Sequence, residues 1–448
     1  MPLARHAEFD VPTDRTDPVD LLIAQGSSRL PELLPVRYGR MLVSPFAFYR
    51  GAANVMAADL AATPVSGFAC QLSGDAHLSN FGAFGSPERR LIFDINDFDE
   101  THPGPWEWDV KRLAASLVVA ARDNSFPRKT AKKLVLSTVR QYREAMAAFA
   151  AMGELQVWYA RADLDELGPT LEQRLTKERR KSWDKAQARA RTHDSLQAMT
   201  KLTALVDGHR RIVASPPLVV PVSDLLPDLD REHLESELRV LLEKYRRSLP
   251  VDRRHLFGAF QFVDMARKAV GVGSVGTRCW IILLRGRDDN DPLLLQVKEA
   301  QRSVLADHVR GSVVRSRYRN EGQRVVSGQR LMQAVSDIFL GWETVEGIDG
   351  RSRDFYVRQL RDWKGSAIVE DMDPVAMTVY AQLCGWTLAR AHARTGDRIS
   401  ISAYLGDTAE FDQAIAEFAR RYADQNERDY DALVRASRTG RVEVVTDI

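Results

Sequence analysis

The chain has 448 residues, and its 63 Lys and Arg side chains nearly balance 61 Asp and Glu side chains, which gives a formal net charge of +2. This balance provides no general electrostatic attraction for nucleic acid or an anionic membrane. The hydrophobic fraction of 44% and the charged fraction of 28% are ordinary for globular proteins and exclude disordered and collagen-like chains. No apolar run approaches the ~18 residues of a membrane-spanning helix, and the first residues lack the apolar core of a signal peptide. We therefore expect a cytoplasmic protein with neither a nucleic-acid nor a membrane partner.

Composition and hydrophobic periodicity predict an α+β protein and divide the chain into successive segments. The segments are an N-terminal arm (1–40), a motif-rich segment (41–152), a helical insertion or subdomain (153–250), a β-rich segment (251–365) and a helical segment (366–448). The strands expected from short apolar runs are Phe68–Leu72, Arg90–Ile95, Leu218–Val222, Ala266–Val272, Cys279–Leu284, Leu293–Val297 and Asp354–Leu360. The main helices expected are Ala52–Ala62, Val110–Arg122, Lys129–Met152, Glu172–Arg191, Glu232–Arg247, Arg319–Phe339 and most of the chain after Pro374.

The densest group of polar side chains lies between Ser73 and Asp109, and two of its clusters directly follow predicted strands. Asp75 is followed five residues later by Asn80, and Asp97 comes after the next strand. Phosphoryl transfer uses an Asp that accepts the acceptor hydroxyl proton, an Asn five residues later on a metal ion, and a further Asp on the metal. Magnesium accepts such a set because it prefers oxygen ligands and retains several waters. The spacing thus predicts Asp75 as the base and Asn80 and Asp97 as metal ligands, with Asp94 as the second choice for Asp97.

Gly74-Asp75-Ala76-His77-Leu78-Ser79-Asn80 resembles the Gly-Asp-x-His-x-x-Asn catalytic loop of aminoglycoside phosphotransferase and choline-kinase-like enzymes. Asp97, followed twelve residues later by Asp109, resembles their metal-binding Asp and downstream structural Asp. The resemblance implies that His77 belongs to the catalytic group, where we expect it to orient the loop. A solvated acidic turn with incidental spacing is the alternative.

A second motif, Gly271-Val272-Gly273-Ser274-Val275-Gly276, fits Gly-x-Gly-x-x-Gly and lies between two predicted strands. Glycines let a backbone approach phosphate oxygens closely, and strand–loop–strand is the kinase arrangement rather than the dinucleotide-binding one. Lys298 ends the following apolar strand, and a lysine there must be paired or bind an anion. The kinase pattern makes Glu321, at the start of the next helix, its predicted partner. The alternatives are an ordinary glycine turn and a surface lysine.

The glycine loop and lysine normally precede the catalytic Asp in a kinase, whereas here they follow it. Gly385-Trp386-Thr387-Leu388-Ala389-Arg390-Ala391-His392-Ala393 resembles the helix that precedes the catalytic loop in those phosphotransferases. Termini that lie close together tolerate permutation. We therefore expect a protein-kinase-like two-lobe fold that is circularly permuted, with two unrelated domains as the alternative.

The chain also resembles an uncharacterised bacterial family, domain-of-unknown-function family 2252, over nearly its full length. The stretches that carry this resemblance are Ser44–Gly51, Gly74–Phe81, Phe93–Asp109, Val270–Lys298, Tyr356–Lys364 and Gly385–Asp397. The resemblance supplies no activity.

The motifs together predict a phosphotransferase that uses ATP and Mg²⁺, with a small molecule or a protein side chain as acceptor. Nucleotidyl transfer is a variant that the sequence does not separate from it. A non-catalytic nucleotide-binding regulatory module would keep the glycine loop and Lys298 only. A metal-dependent hydrolase would instead use Asp75, His77, Asp94, Asp97 and His102.

Overall fold

The computed structural model describes residues 1–172, 176–192, 195–206, 209–225, 231–269, 271–309, 318–347, 349–360, 363 and 365–446. Val270 and Lys364, which belong to the stretches quoted above, lie outside these ranges. The fold is mixed α+β, with 51% helix and 17% strand, as the sequence predicts. Within the described ranges, no helix combines the length and the apolar composition needed to cross a bilayer.

The helices are α1 (Pro18–Gly26), α2 (Leu34–Met41), α3 (Pro45–Gly51), α4 (Ala53–Leu60), α5 (Glu107–Asp123), α6 (Arg128–Ala150), α7 (Glu154–Tyr159), α8 (Leu164–Glu172), α9 (Lys177–Thr192), α10 (Ser195–Leu202), α11 (Val222–Leu225), α12 (Arg231–Arg247), α13 (Val251–Phe257), α14 (Glu321–Met332), α15 (Pro374–Ala393), α16 (Arg398–Leu405) and α17 (Glu410–Arg438). Short 3-10 helices occupy Leu3–Ala7, Pro31–Leu33, Leu78–Asn80 and Val369–Asp371.

The strands are β1 (Ala69–Leu72), β2 (Phe81–Gly85), β3 (Leu91–Ile95), β4 (His102–Pro105), β5 (Ala162–Asp163), β6 (Thr203–Val206), β7 (His209–Ile212), β8 (Val219–Pro221), β9 (Gln261–Lys268), β10 (Cys279–Arg285), β11 (Pro292–Glu299), β12 (Gly341–Glu346), β13 (Ser352–Gln359) and β14 (Gly365–Ser366).

The largest sheet is antiparallel and has the strand order β12-β13-β11-β10-β9-β8. Its central strands read as continuous apolar runs because both faces of the sheet are covered. Ile282 and Leu295 pack with Tyr245 on one face, whereas Ile281 and Leu294 lie in a separate core on the other face. Burial on both faces therefore explains why apolar runs without alternation predicted these strands.

Four long helices, α5, α6, α15 and α17, share one large apolar core with the strands β1 and β3. A smaller sheet of order β14-β2-β3-β5 and the antiparallel pair β1-β4 lie beside these helices. The two loops that follow β1 and β3 carry the acidic motifs. The helical core thus provides a rigid support for both loops.

The segment 153–250, predicted as a helical insertion or subdomain with one strand at Leu218–Val222, contains that strand as β8 and also the strands β5, β6 and β7. β5 pairs with β3, and β8 pairs with β9, so this segment contributes strands to both of the larger sheets. The helix predicted over Arg319–Phe339 is shorter, because α14 ends at Met332. The predicted interruption near Thr395–Leu405 contains the helix α16.

Gly385 determines how closely α15 approaches α6. A Cβ atom added at Gly385 would lie 2.6 Å from the carbonyl oxygen of Thr138 in α6, closer than real Cβ contacts. We expect Gly385→Ala to lower the free energy of unfolding by about 1–3 kcal/mol, because overpacking outweighs the ~1 kcal/mol that alanine gains over glycine in a helix. Urea denaturation measures the change.

The control is Val375→Ala, at an exposed position in the first turn of α15, which should change the free energy of unfolding by less than about 0.5 kcal/mol. Equal stability of Gly385→Ala and the native chain would contradict the close approach of α15 and α6.

Candidate functional site

Three segments that are distant in the sequence meet at the carboxylate of Asp99. The Lys298 ammonium, on β11, lies 2.6 Å from Oδ2 of Asp99. The Ser274 hydroxyl, in the loop between β9 and β10, donates to the same oxygen at 3.2 Å. The Tyr356 hydroxyl, on β13, donates to Oδ1 at 2.6 Å. The glycine loop, the lysine strand and the acidic loop after β3 therefore form one site.

Lys298 is buried, with an exposed fraction of 2%, and it lies between two carboxylates. Its second neighbour is Asp97, whose Oδ2 is 3.8 Å from the ammonium. Burial lowers the pKa of Lys298, but the charges of Asp97 and Asp99 outweigh burial and raise that pKa well above its ordinary value. Burial raises the pKa of Asp99, and Lys298 outweighs it, so the pKa of Asp99 is lowered. Both groups of the pair are therefore charged at neutral pH.

Glu321 does not pair with Lys298 as the kinase pattern predicts. Its carboxylate binds the guanidinium of Arg324, one turn further along α14. Arg324 in turn donates to the backbone carbonyls of Asp99 and Thr101. Glu321 thus acts on the acidic loop through Arg324, and Asp99 takes the position of lysine partner.

The loop that carries Asp75 begins with a turn that only glycine fits. Gly74 has φ +84°, and a Cβ atom added there would lie 2.2 Å from the carbonyl oxygen of Glu100. Asp109, at the start of α5, accepts the backbone N–H groups of Ser73 and Gly74 at 2.7 and 3.0 Å. This carboxylate therefore fixes the turn before Asp75, which is the structural role that the resemblance implied for Asp109.

Asp75 has an exposed side-chain fraction of 18% and is held on one oxygen only. Arg112 donates Nε and Nη2 to Oδ1 of Asp75 at 2.9 and 2.7 Å. Oδ2 lies 3.6 Å from Nε2 of His77. Burial raises the pKa of Asp75 to about 6, with Arg112 opposing the rise and Asp97 adding to it. Burial lowers the pKa of His77 well below its ordinary value, so His77 is a neutral neighbour of Asp75 at pH 7.

Asn80 and Asp97 have the oxygen atoms that a magnesium ion requires. Asn80 donates its amide N–H to the carbonyl oxygen of Asp75 at 2.7 Å, and its amide oxygen receives no hydrogen bond from the described residues. The Asp97 side chain is 31% exposed, and among the described residues only its Oδ1 accepts a hydrogen bond, from the backbone of Asp99 at 3.1 Å. Amide and carboxylate oxygens are ligands that Mg²⁺ takes in proteins, alongside water and phosphate oxygens.

Asp94, the second choice as metal ligand, is engaged by protein donors on both oxygens. Arg390 of α15 donates to Oδ1 at 2.6 Å, and each member of this ion pair is about 1% exposed. The backbone N–H groups of Ile95 and Ala334 also donate to the carboxylate at 2.9 Å. Asp94 therefore forms a buried structural ion pair, which leaves Asp97 as the acid that faces the site.

His102, part of the alternative hydrolase site, lies on β4, where its Nδ1 contacts the carbonyl oxygen of Pro103 at 2.7 Å. In the part of the chain that the structure describes, no group of three or more His, Cys, Asp and Glu side chains is arranged to hold a metal ion.

The glycine loop 271–276 connects two paired strands, as the sequence predicts, because β9 and β10 are antiparallel neighbours. Gly271 and Gly276 have φ values of +56° and +88°, which favour glycine. The N-terminal arm supports both ends of the loop. Leu30 donates its backbone N–H to the carbonyl oxygen of Gly276 at 2.7 Å, and Arg40 donates to that of Gly271 at 3.1 Å. A Cβ atom added at Gly273 would lie 3.4 Å from the carbonyl oxygen of Arg50.

Sequence reasoning did not identify several residues that hold the site together. They are Asp99, Arg112, Arg324, Tyr356 and Arg390. The three arginines lie on helices among apolar or small neighbours, and an arginine at such a position needs a buried partner. This requirement could have identified the three arginines from the sequence, but it does not identify the residues that they bind.

The family model DUF2252, described as "Uncharacterized protein conserved in bacteria", matches residues 29–436. The chain belongs to this family. No curated protein and no solved structure matches it. The part matched by DUF2252 contains Asp75, Asp97, Asp99, the glycine loop and Lys298.

The different surroundings of Asp94 and Asp97 predict different effects on stability. Asp94→Asn leaves the buried charge of Arg390 without a counter-ion and should lower the free energy of unfolding by about 3–5 kcal/mol. Asp97→Asn keeps the oxygen that accepts from Asp99 and should cost less than about 1 kcal/mol. Urea denaturation of both variants measures these changes. Equal destabilisation would show that Asp97 also has a mainly structural role.

Proposed function

We propose that this protein is a phosphotransferase that uses ATP with Mg²⁺. The observation that carries the proposal is the contact of Ser274 and Lys298 with Asp99. A glycine loop, a buried lysine and a carboxylate beside a candidate metal ligand are the parts that phosphoryl transfer requires in one place.

Each part has a role that its surroundings support. The backbone of Gly271, Gly273 and Gly276 would lie over the phosphates, with Ser274 at the turn of the loop, and Lys298 would bind phosphate oxygens. Binding would draw the Lys298 ammonium partly away from Asp99, and Tyr356 would remain as a donor to that carboxylate. In the bound state the charge of the buried ammonium would be neutralised by the phosphate oxygens instead of by Asp99.

Asn80 and Asp97 would hold the magnesium ion, which when bound neutralises charge on the phosphate oxygens. Asp75 would accept the proton of the acceptor hydroxyl or amine while the bond between the acceptor and the γ-phosphorus forms and the bond to ADP breaks. Arg112 engages only one oxygen of Asp75, so the other oxygen is free to accept this proton.

We also propose that the fold is a circularly permuted kinase-like fold. The end of α15 lies against the beginning of β1, since a Cβ atom added at Gly396 would be 2.8 Å from Cβ of Cys70 and 3.1 Å from the carbonyl oxygen of Ala69. In addition, Nε2 of His392 lies 3.3 Å from Oδ2 of Asp109. A chain that passed from α15 directly into β1 would reach Asp75 in the order expected of a kinase.

A second candidate function is nucleotide binding without catalysis. It is favoured by the ion pair of Asp75 with Arg112, because the guanidinium occupies one carboxylate oxygen and opposes the rise in the pKa of Asp75. ATP binding without turnover on a broad panel of acceptors would select this function.

Nucleotide binding can be tested by calorimetric titration of Mg·ATP into the native chain and into Lys298→Ala and Asp97→Asn. We expect micromolar binding that weakens at least tenfold in each variant, since each removes a charged contact worth roughly 1.5–3 kcal/mol.

The control is Lys244→Ala, which removes an exposed lysine of α12, and circular dichroism checks that each variant is folded. Binding that neither Lys298→Ala nor Asp97→Asn changes would contradict a shared site.

The proposed base predicts a defined pH dependence of turnover. Only the ionised form of Asp75 accepts a proton, and its pKa is about 6. The rate of ADP formation from ATP in the presence of a panel of acceptors should therefore rise as the pH passes through about 6 and stay constant above it. Asp75→Asn should lower the rate by about 10²–10⁴-fold with a similar ATP affinity.

Stopped or continuous assays of ADP from pH 5 to pH 8 provide the measurement, and Asp165→Asn, which changes an exposed carboxylate on α8, is the control. A profile without an inflection near pH 6, or a fully active Asp75→Asn variant, would assign the base to another group.

A further inference from the structure

A buried arginine lies directly beneath the glycine loop. Arg29 has an exposed fraction of only 7%, and its Nη1 donates to the carbonyl oxygen of Val275. Its aliphatic part packs on the end of the loop, where a Cβ atom added at Gly276 would be 3.0 Å from Cβ of Arg29. The guanidinium therefore lies at the loop that is proposed to cover the phosphates.

The charge of Arg29 has no direct counter-ion. Among the described residues, no carboxylate oxygen forms an ion pair with it, and its Nε has no hydrogen-bond partner. Buried arginines are normally paired, because an unpaired buried charge is costly. The bond to Val275 uses only one of the five N–H donors of the guanidinium.

Carboxylates near Arg29 are already committed to other donors. Glu100, Asp99 and Glu299 act on its charge from a distance. Glu100 accepts the backbone N–H of Val304, Asp99 binds Lys298, and Glu299 binds Arg278. Among the described residues, none of the three forms an ion pair with Arg29.

A second buried arginine adds positive charge close to the first. Arg37, on α2, donates to the carbonyl oxygens of Leu22 and Gly51 and to the side chain of Gln25, and it also forms no ion pair among the described residues. Burial, followed by the charge of Arg29, lowers the pKa of Arg37 well below its ordinary value, so the two guanidinium groups are near each other. An anion at Arg29 would relieve the repulsion between them.

We propose that Arg29 is an anion-binding residue that contacts a phosphate group held under the glycine loop. The planar guanidinium matches phosphate oxygens, and its unpaired Nε–H is one of the donors that bidentate binding uses. Where the anion is taken to be the polyphosphate of ATP, this inference rests on the proposed function. An inorganic polyphosphate has the same chemistry, and the experiment separates the two sources.

The test is calorimetric titration of three ligands, Mg·ATP, Mg·tripolyphosphate and adenosine, into the native chain and into Arg29→Gln and Arg29→Lys. We expect Arg29→Gln to weaken both phosphate ligands by the same factor, roughly ten- to a hundredfold, and to leave the adenosine affinity unchanged. Arg29→Lys keeps the positive charge but lacks the planar guanidinium. Its affinity for both phosphate ligands should therefore lie between that of the native chain and that of Arg29→Gln. The difference between the native chain and Arg29→Gln should shrink as salt is added, which loss of a merely structural contact would not produce.

The matched control is Arg40→Gln, which removes the other arginine that donates to a carbonyl of the same loop but is more exposed. Arg40→Gln should weaken both phosphate ligands less than Arg29→Gln does, and thermal unfolding checks that all variants are folded. Because Arg40 also anchors the loop, the comparison is quantitative: a smaller loss of affinity in Arg40→Gln than in Arg29→Gln supports the proposal, and equal weakening by the two variants would overturn it in favour of loop anchoring.

The ligands distinguish failure of this inference from failure of the proposed function. Unchanged binding of both phosphate ligands by Arg29→Gln, together with weakened binding by Lys298→Ala, would overturn only the role of Arg29. Binding of tripolyphosphate that depends on Arg29, without binding of ATP, would support the anion site and overturn the proposed function. Binding of neither phosphate ligand by the native chain would overturn both.

Discussion

The ion pair of Lys298 with Asp99 joins segments that are 199 residues apart in the chain and determines the arrangement of the site. Lys298 is fixed by its strand in the six-stranded sheet, and Asp99 by a loop that the helical core supports. Lys298 is buried and the Asp99 side chain is 28% exposed, so loss of Asp99 would leave the buried ammonium without its nearest counter-ion. The same carboxylate also positions the glycine loop, because Ser274 donates a hydrogen bond to it. The sheet and the helices are thereby held in one relative position at the site.

Further buried charges orient the loops around this pair. Arg324 donates to backbone carbonyls of the acidic loop, and Arg112 holds one oxygen of Asp75. Asp109 holds the turn before Asp75 from the side of α5. Each of these charged groups binds either backbone groups or one oxygen of a carboxylate. Buried ion pairs are weak evidence of net stability, but they penalise every alternative arrangement in which a partner is missing. The polar residues of this site therefore specify its geometry, while the apolar cores supply the free energy of folding.

The sequence predicts those parts of the fold whose pattern is local. β3, β10 and β11 lie in continuous apolar runs because the surrounding layers bury both of their faces, and α5 and α6 have the helical period. The strands β4 and β12 contain glycine, proline or few apolar residues, so no pattern marks them. The candidate site residues are predicted by spacing, since Asp75 to Asn80 is a local motif.

Partners across the chain are not predicted in this way. The kinase pattern assigns Glu321 to Lys298 because Glu321 begins the following helix, yet Arg324 lies one turn away and takes its carboxylate. Asp99 is available instead because the loop after β3 reaches the end of β11, a proximity that arises only when the sheet and the helical core are assembled. Sequence spacing specifies which chemical groups are displayed, whereas packing decides which of them meet. The same distinction explains Asp94, whose spacing fits a metal ligand but whose position beneath α15 brings it to Arg390. A displayed carboxylate binds whatever cation the assembled fold places beside it: an arginine for Asp94, a lysine for Asp99, and under the proposed function a magnesium ion for the more exposed Asp97.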